Sequence, residues 1–343
     1  MMRLGVLTGG GDCPGLNAVI RAVVRKGVRQ AGYEFVGLRH GWRGLLVGET
    51  QELNLRSTKG ILHLGGTMLG TSRTNPFKEQ LSPEDVLDCF EKVGIDGLIA
   101  IGGEDTLGVA SKLAAIGGKV IGIPKTIDND LSGTEFTFGF QTAVQIATDA
   151  IDRLHSTAES HDRVMIVEVM GRHAGWIAIY SGMAGGADAI LIPERPFDIE
   201  DVCDAIRRRH ESGRNFSIIV VSEGAQPKDG TLQIHSGEVD DFGHVRLGGI
   251  GNLIMEEIEE RTGFEARVTI LGHVQRGGTP TAYDRVLASR FGVAAVNAVE
   301  TEAWGTMVAL RCGEIVSVPL EEATGTLKTV DDDLYDVATT FFG

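Results

Sequence analysis

Gly97-Leu98-Ile99-Ala100-Ile101-Gly102-Gly103-Glu104-Asp105-Thr106 is followed by Val120-Ile121-Gly122-Ile123-Pro124-Lys125-Thr126-Ile127-Asp128-Asn129-Asp130. Each block opens on a short apolar run and closes on polar and charged residues. Such runs, bounded by turn signals, read as buried strands over Gly97–Ile101 and Val120–Ile123, and the pattern between them predicts a helix over Leu107–Ala115. Strand, helix and strand make a βαβ unit, whose two strands are parallel. Their carboxyl ends are where open α/β sheets bind ligands. Here those ends carry glycines, acids, a lysine and a threonine. Paired glycines let backbone approach a phosphate, and acids hold Mg²⁺ or accept a proton. The two blocks together point to phosphoryl transfer.

The same alternation extends in both directions. Strand Leu4–Thr8 precedes helix Leu16–Gln30, and a strand follows at Glu34–Leu38. Helix Pro83–Val93 opens with Ser82 at its N-cap and proline at its first position. A long helix over Phe140–Ala158 leads to strand Val164–Val169, helix Ala174–Ala184, strand Ala189–Ile192, helix Ile199–Ser212 and strand Ser217–Ser222. Helix Gly249–Thr262, strand Ala266–Leu271 and a last long helix from Pro280 to Glu302 complete the series. Repeated βαβ units predict an α/β fold with parallel sheets covered on both faces by helices. Gln226–Val245 breaks the pattern as a polar excursion or hairpin. A domain boundary is expected near residue 138. The expected division is 1–138 with roughly 275–325 as a phosphoryl-donor domain, and 139–274 with the C-terminal tail as the acceptor domain.

The chain has 343 residues, 42% of them hydrophobic and 23% charged, which is the composition of a globular protein of two ordinary domains. A net charge of −15 argues against a general nucleic-acid binder, which needs a basic face. Arginines focused locally still allow an anionic substrate. Cys13, Cys89, Cys203 and Cys312 form no CxxC and no metal spacing, so reduced thiols are expected. No apolar run approaches the ~20 residues of a membrane span. With a strand beginning at Arg3, no signal peptide is expected, and the chain is expected in the cytoplasm without membrane or nucleic-acid partners.

Thr8-Gly9-Gly10-Gly11-Asp12-Cys13-Pro14-Gly15 joins the first strand to the first helix. Free amides and the helix dipole there attract anions, so it is either a phosphate cradle or a merely tight turn. It is not a Walker A loop. Gly103-Glu104-Asp105-Thr106 is either a capped βα junction, with Asp105 or Thr106 as N-cap, or a site where Glu104 holds a metal. Thr126–Asp130 is more specific, because an Asx turn explains one acid but not two acids with Asn and Thr. Met170-Gly171-Arg172-His173, Glu223-Gly224 and His273-Val274-Gln275-Arg276-Gly277-Gly278 each follow a further strand, with Arg73, Arg163 and Arg267 near other junctions. Arginine's fork suits phosphate oxygens, and a buried carboxylate suits sugar hydroxyls.

In this order the blocks, with Gly9-Gly10-Gly11-Asp12-Cys13-Pro14-Gly15-Leu16-Asn17-Ala18-Val19-Ile20-Arg21 and Gly70-Thr71-Ser72-Arg73, resemble the 6-phosphofructokinase family over at least residues 3–295. The resemblance implies two doubly wound, mostly parallel βαβ domains with the active site in the cleft between them. It implies Asp128 as the base on the 1-hydroxyl of fructose 6-phosphate. Thr126, Asp130, Met170, Gly171, Arg172, Glu223, His273 and Arg276 would hold that sugar phosphate. Arg163 and Arg267 would reach it from a neighbouring subunit of a homodimer or homotetramer with shared sites. Gly10, Gly11 and Arg73 would lie along the donor, with Glu104 on Mg²⁺. The ATP-using pattern has glycine where this chain has Asp105 and Lys125. Both substitutions resemble the pyrophosphate-dependent branch, in which Asp105 and Lys125 would act on the donor; they pair with each other as a salt bridge in the alternative reading. Glu104 stands where aspartate is more usual. The competing activities are ATP-dependent phosphofructokinase, NAD kinase and a catalytically dead sugar-phosphate sensor. Arg21, Arg25 and Arg214 match part of a basic effector pocket, but His155 replaces another arginine and the loop of Arg56 aligns poorly. Control by nucleotides or phosphoenolpyruvate is therefore expected to be weak or absent.

Overall fold

A computed structural model of the chain describes residues 1–229, 231 and 249–343. Most of the polar excursion at Gln226–Val245 lies outside the described residues. The chain order is β1 Arg3–Thr8, α1 Leu16–Lys26, β2 Glu34–Leu38, α2 Trp42–Val47, β3 Thr50–Leu53, α3 Pro83–Val93, β4 Gly97–Gly102, α4 Glu104–Ala115, β5 Val120–Thr126 and β6 Phe138–Gly139. It continues with α5 Phe140–His161, β7 Val164–Val169, α6 Trp176–Ala184, β8 Ala189–Leu191, α7 Ile199–Glu211, β9 Ser217–Ser222, α8 Ile250–Thr262 and β10 Ala266–Ile270. The last elements are α9 Ala282–Glu300, β11 Thr306–Arg311, β12 Glu314–Pro319, α10 Leu320–Gly325 and α11 Asp332–Thr339. The chain divides into two compact units, Met1–Thr142 with Arg276–Leu327, and Ala143–Gln275 with Lys328–Gly343.

The first unit is built on an eight-stranded sheet in the order β12-β11-β5-β4-β1-β2-β3, with β6 added to β5. Its centre is parallel, and its edges, β2 with β3 and β11 with β12, are antiparallel. Apart from Arg3 and the half-buried Thr126, every residue of β1, β4 and β5 is buried, as expected of strands covered on both faces. Leu7, Leu98, Ala100, Leu107 and Leu113 share one apolar cluster, each leucine contributing roughly 1.5–3 kcal/mol by leaving water. The second unit holds a four-stranded, wholly parallel sheet, β10-β7-β9-β8. Ile166, Ile219 and Val221 pack there against Ile199, Val202 and Ile254 of α7 and α8.

Local chemistry sets the element ends. Ser82 accepts from Asp85 N while Asp85 accepts from Ser82 N, a capping box that starts α3. α4 begins at Glu104, not Leu107, with Gly103 as its N-cap and no side-chain cap. Neither Asp105 nor Thr106 is therefore the cap, and both acids occupy the first turn, where the helix dipole favours negative charge. β5 runs three residues past Ile123. Pro124 still pairs with Gly102, and Lys125 and Thr126 then find β6 as a partner, opposite Phe138 and Gly139. The β11–β12 hairpin turns on Cys312 and Gly313, both at positive φ, the backbone that a two-residue hairpin turn requires.

Candidate active site

The glycine loop between β1 and α1 is held by its neighbours on every side. Gly9 N donates to Ile101 O at 2.9 Å, Gly10 N donates to Ser72 O at 3.1 Å, and Thr71 Oγ1 donates to Gly10 O at 2.5 Å. Gly10 sits at φ 76, where a side chain is strained. At Gly11 a Cβ would collide with the Arg276 guanidinium, which also reaches Asp12 O at 3.5 Å. Lys125 is only 3% exposed, and its Nζ donates to Gly11 O at 2.5 Å. Burial holds its ammonium below the ordinary lysine value, with Arg276 acting in the same direction. Two cations thus converge on Gly11 at the amino end of α1, which is an arrangement for a compact polyanion. The Cys13 thiol, buried in the same turn, is pushed up to about 12 by burial and is inert as a nucleophile.

Glu104 and Asp105 are exposed in the first turn of α4. Both line a cavity of about 330 Å³ whose other walls include Asn75, Phe77, Lys112 and Thr324. Lys112 Nζ lies 5.1 Å from the centre of the Phe77 ring. Asp105 and Lys125 do not form the alternative salt bridge: one is exposed on a helix, the other is buried and bonded to Gly11.

Thr126–Asp130 is a rigid turn. Asn129 is fully buried at φ 52, a left-handed position asparagine tolerates. Its Oδ1 accepts from Thr137 N at 3.0 Å and its Nδ2 donates to Glu135 O at 3.4 Å. Thr137 Oγ1 donates to Thr126 O at 2.8 Å, and Asp128 N donates to Thr126 Oγ1 at 3.0 Å. The buried amide thereby fixes the acids on either side of it. Burial, and then the charge of Asp128 with a further contribution from Glu104, raises Asp130 to about 7. In the unfolded chain that carboxyl ionises near pH 4. Rising pH therefore draws protons from the unfolded state first, and folding stability falls between about pH 4 and pH 7. Asp130→Asn is expected to raise Tm by about 3 °C or more at pH 8 and to change it little at pH 4. Equal gains at both pH values would contradict this electrostatic origin.

In the second unit the carboxyl ends of β7, β9 and β10 are stitched together. Met170 N donates to Gln275 Oε1 at 3.3 Å, Gly171 N donates to Glu223 Oε1 at 3.4 Å, and Ser222 Oγ donates to Gly171 O at 2.5 Å. Gly171 adopts φ 136, and a Cβ there would lie 2.8 Å from Ser222 Oγ. Arg172 is half-buried and His273 exposed at the same strand ends. A basic and an acidic side chain beside tightly turned backbone suit a phosphorylated sugar.

The family model described as phosphofructokinase matches residues 3–299. The chain belongs to the phosphofructokinase family. A relative from Amycolatopsis methanolica, called pyrophosphate–fructose 6-phosphate 1-phosphotransferase, is 61% identical over the full length of both chains. A relative from Corynebacterium efficiens, called ATP-dependent 6-phosphofructokinase, is 53% identical over 100% of this chain and 99% of its own. The solved structure of Pichia pastoris phosphofructokinase in the T-state superposes with a TM-score of 0.81 at 32% identity. It covers 99% of this chain, which spans 36% of the longer yeast chain.

Within this phosphofructokinase fold, Arg163 and Arg267 are not gathered with Arg172, Glu223 and His273. Arg163 precedes β7 and Arg267 is the second residue of β10, at the amino ends of these parallel strands. The six residues of β7 put roughly 20 Å between the two ends. Both arginines instead share Glu265, Arg163 at 2.8 Å, and Arg267 also reaches Glu259 at 3.3 Å. Arg276, expected on the sugar phosphate, lies against Gly11 and belongs to the first unit. Arg73 is exposed at the end of the segment paired to Gly10. His155, in the expected effector region, spends a ring nitrogen on Gly185 O at 2.6 Å.

The structure gives a role to two motif residues that carried none, and adds a third, Glu194, that no motif marked. Gln275 and Asn129 are both fully buried and orient functional backbone. Glu194 accepts from Gly175 N at 2.9 Å and from Val330 N at 2.9 Å, tying the C-terminal segment to the start of α6, just after His173. An isolated Glu between strands carries no spacing signal, which is why Glu194 was not anticipated.

Among the described residues no group of three or more His, Cys, Asp or Glu side chains could hold a metal by itself. Mg²⁺ does not require one, since it usually takes one or two carboxylates and fills its shell with phosphate oxygens and water. Glu104, exposed and within electrostatic range of Asp130, fits that habit.

Proposed function

We propose that the chain transfers a phosphoryl group from pyrophosphate to the 1-hydroxyl of D-fructose 6-phosphate, reversibly, giving fructose 1,6-bisphosphate and phosphate. The observation that carries the donor assignment is Lys125, a buried ammonium fixed on Gly11 where ATP-using members have glycine. The name of the Amycolatopsis methanolica relative supports the same reading. In this reading the first unit binds the donor through Gly10, Gly11, Arg73 and Lys125. Thr126, Asp130, Met170, Gly171, Arg172, Glu223, His273 and Arg276 are the residues assigned to the sugar phosphate.

Asp128 accepts the proton of the 1-hydroxyl as that oxygen bonds to phosphorus. The bond from the same phosphorus to the bridging oxygen breaks, and the electron pair leaves with inorganic phosphate. Lys125 opposes the charge that accumulates on that leaving group. Glu104 would hold Mg²⁺, which when bound supplies charge neutralisation to the diphosphate. Asp105 excludes a donor that extends beyond its second phosphate. The reaction belongs in the cytoplasm, where the four free thiols stay reduced. ³¹P NMR of enzyme with Mg²⁺, pyrophosphate and fructose 6-phosphate tests the reaction: fructose 1,6-bisphosphate and phosphate should appear together, and fructose 1,6-bisphosphate with phosphate should regenerate pyrophosphate. No turnover in either direction would sink the assignment.

Arg163 and Arg267 complete the sugar-phosphate site of a neighbouring copy, in a homodimer or homotetramer. Co-refolding inactive Arg163→Ala chains with inactive Asp128→Asn chains should restore activity, because some sites then combine two intact residues. Mixtures that stay inactive would mean the site is built from one chain.

A further inference from the structure

We infer that Asn17 is a positioning residue for pyrophosphate, acting through the segment that carries Arg73. This rests on the donor reading above and extends it to a side chain that touches neither substrate. Asn17 lies in the first turn of α1, directly after the glycine loop, and is 3% exposed. A polar side chain buried there must be satisfied, and its partners lie outside its own helix. Nδ2 donates to Leu64 O and Gly65 O, both at 3.1 Å, and Oδ1 accepts from Met68 N at 2.8 Å. Three of the four hydrogen bonds an amide can make go to one stretch of loop.

That stretch has no helix or strand of its own between Leu64 and Arg73. Its geometry is therefore set by what it is tied to. Thr8 Oγ1 holds Gly70 O at 2.9 Å and Thr67 Oγ1 at 3.0 Å, and the Gly10–Ser72 and Thr71–Gly10 bonds close its far end. Gly65 is pressed against Gly278 O, leaving no space for a side chain. The segment leading to Arg73 is thus tied to the start of α1 by Asn17 at one end and to Gly10 at the other. A diphosphate that uses both Arg73 and the start of α1 needs that distance fixed in advance, since orienting a mobile arginine on binding costs affinity.

The test is a double-mutant cycle on the full-length enzyme. Asn17→Ala and Arg73→Ala should each raise KM for pyrophosphate about ten-fold or more, with KM for fructose 6-phosphate changed less than about two-fold. In the Arg73→Ala background, Asn17→Ala should add almost nothing. Thr8→Val, nearly isosteric, loosens the same segment without an internal vacancy and should move KM for pyrophosphate in the same direction. The inference is overturned if Asn17→Ala lowers Tm but leaves KM for pyrophosphate unchanged, or if the two effects add. Should Asn17→Ala not fold, an unchanged KM for pyrophosphate in Thr8→Val overturns it. Arg73→Ala with a normal KM for pyrophosphate would instead show that Arg73 is not on the donor, and so overturn the donor reading along with it.

Discussion

Asp128→Asn is expected to lower kcat by about 10²–10⁴-fold while KM for fructose 6-phosphate moves little, the signature of losing general-base catalysis. The amide keeps the shape and the hydrogen-bonding reach of the carboxylate and loses its basicity. The surrounding turn should survive the change. Its conformation is held by Asn129 and by the Thr137–Thr126 bond, none of which uses the Asp128 carboxylate. The backbone N–H of Asp128 still donates to Thr126 Oγ1. A steady-state comparison with calorimetric binding of fructose 6-phosphate separates chemistry from affinity. Near-normal turnover in Asp128→Asn would reject the assignment of the base.

The second large effect is expected at Lys125, with Asp105 acting in the opposite sense on ATP. Lys125→Met keeps the aliphatic stem buried beside Gly11 and removes the charge. It should cost about 10²–10³-fold in kcat with pyrophosphate, the magnitude of losing one preorganised electrostatic contact in a site closed to water. Asp105 is exposed, so its repulsion of a further phosphate is screened. Coulomb's law gives about 1 kcal/mol at 4 Å in water and about 4 kcal/mol near a protein surface. Exposure favours the lower end, and Asp105→Gly should raise kcat/KM for ATP about five-fold. Asp105 lines a cavity that has Phe77 as its aromatic wall. An unchanged donor ratio in Asp105→Gly would remove position 105 from donor selection.

The parallel βαβ architecture was legible because buried parallel strands read as unbroken apolar runs, as in Leu98–Ile101 and Ile218–Val221. Elements at the edges of the sheets were not. β3 is four residues long and largely exposed, so no apolar run marks it. The β11–β12 hairpin turns on Cys312-Gly313 rather than on Asn-Gly or Asp-Gly, the pairs that announce such a turn. The start of α4 was set too late because glycine at an N-cap offers no side chain to recognise. At the site, residues with spacing and charge could be named from the chain alone. Asn17, Asn129 and Gln275 stand in the same motifs, but their role could not be read there, since it is to satisfy backbone groups brought to them from distant segments. Arg276 could be named as a phosphate ligand by type, but its seat on Gly11 depends on how the segment after β10 returns to the first unit.

The central claim is that this glycine loop, with Lys125 buried against it and Asp105 at its margin, takes pyrophosphate in preference to ATP. It is tested most directly by measuring kcat/KM for the two donors side by side on the unmodified enzyme, with Mg²⁺ and saturating fructose 6-phosphate. Pyrophosphate should be used at least about five-fold more efficiently than ATP, as a single charge repulsion of about 1 kcal/mol requires. Equal use of both donors, or a preference for ATP, would contradict the account.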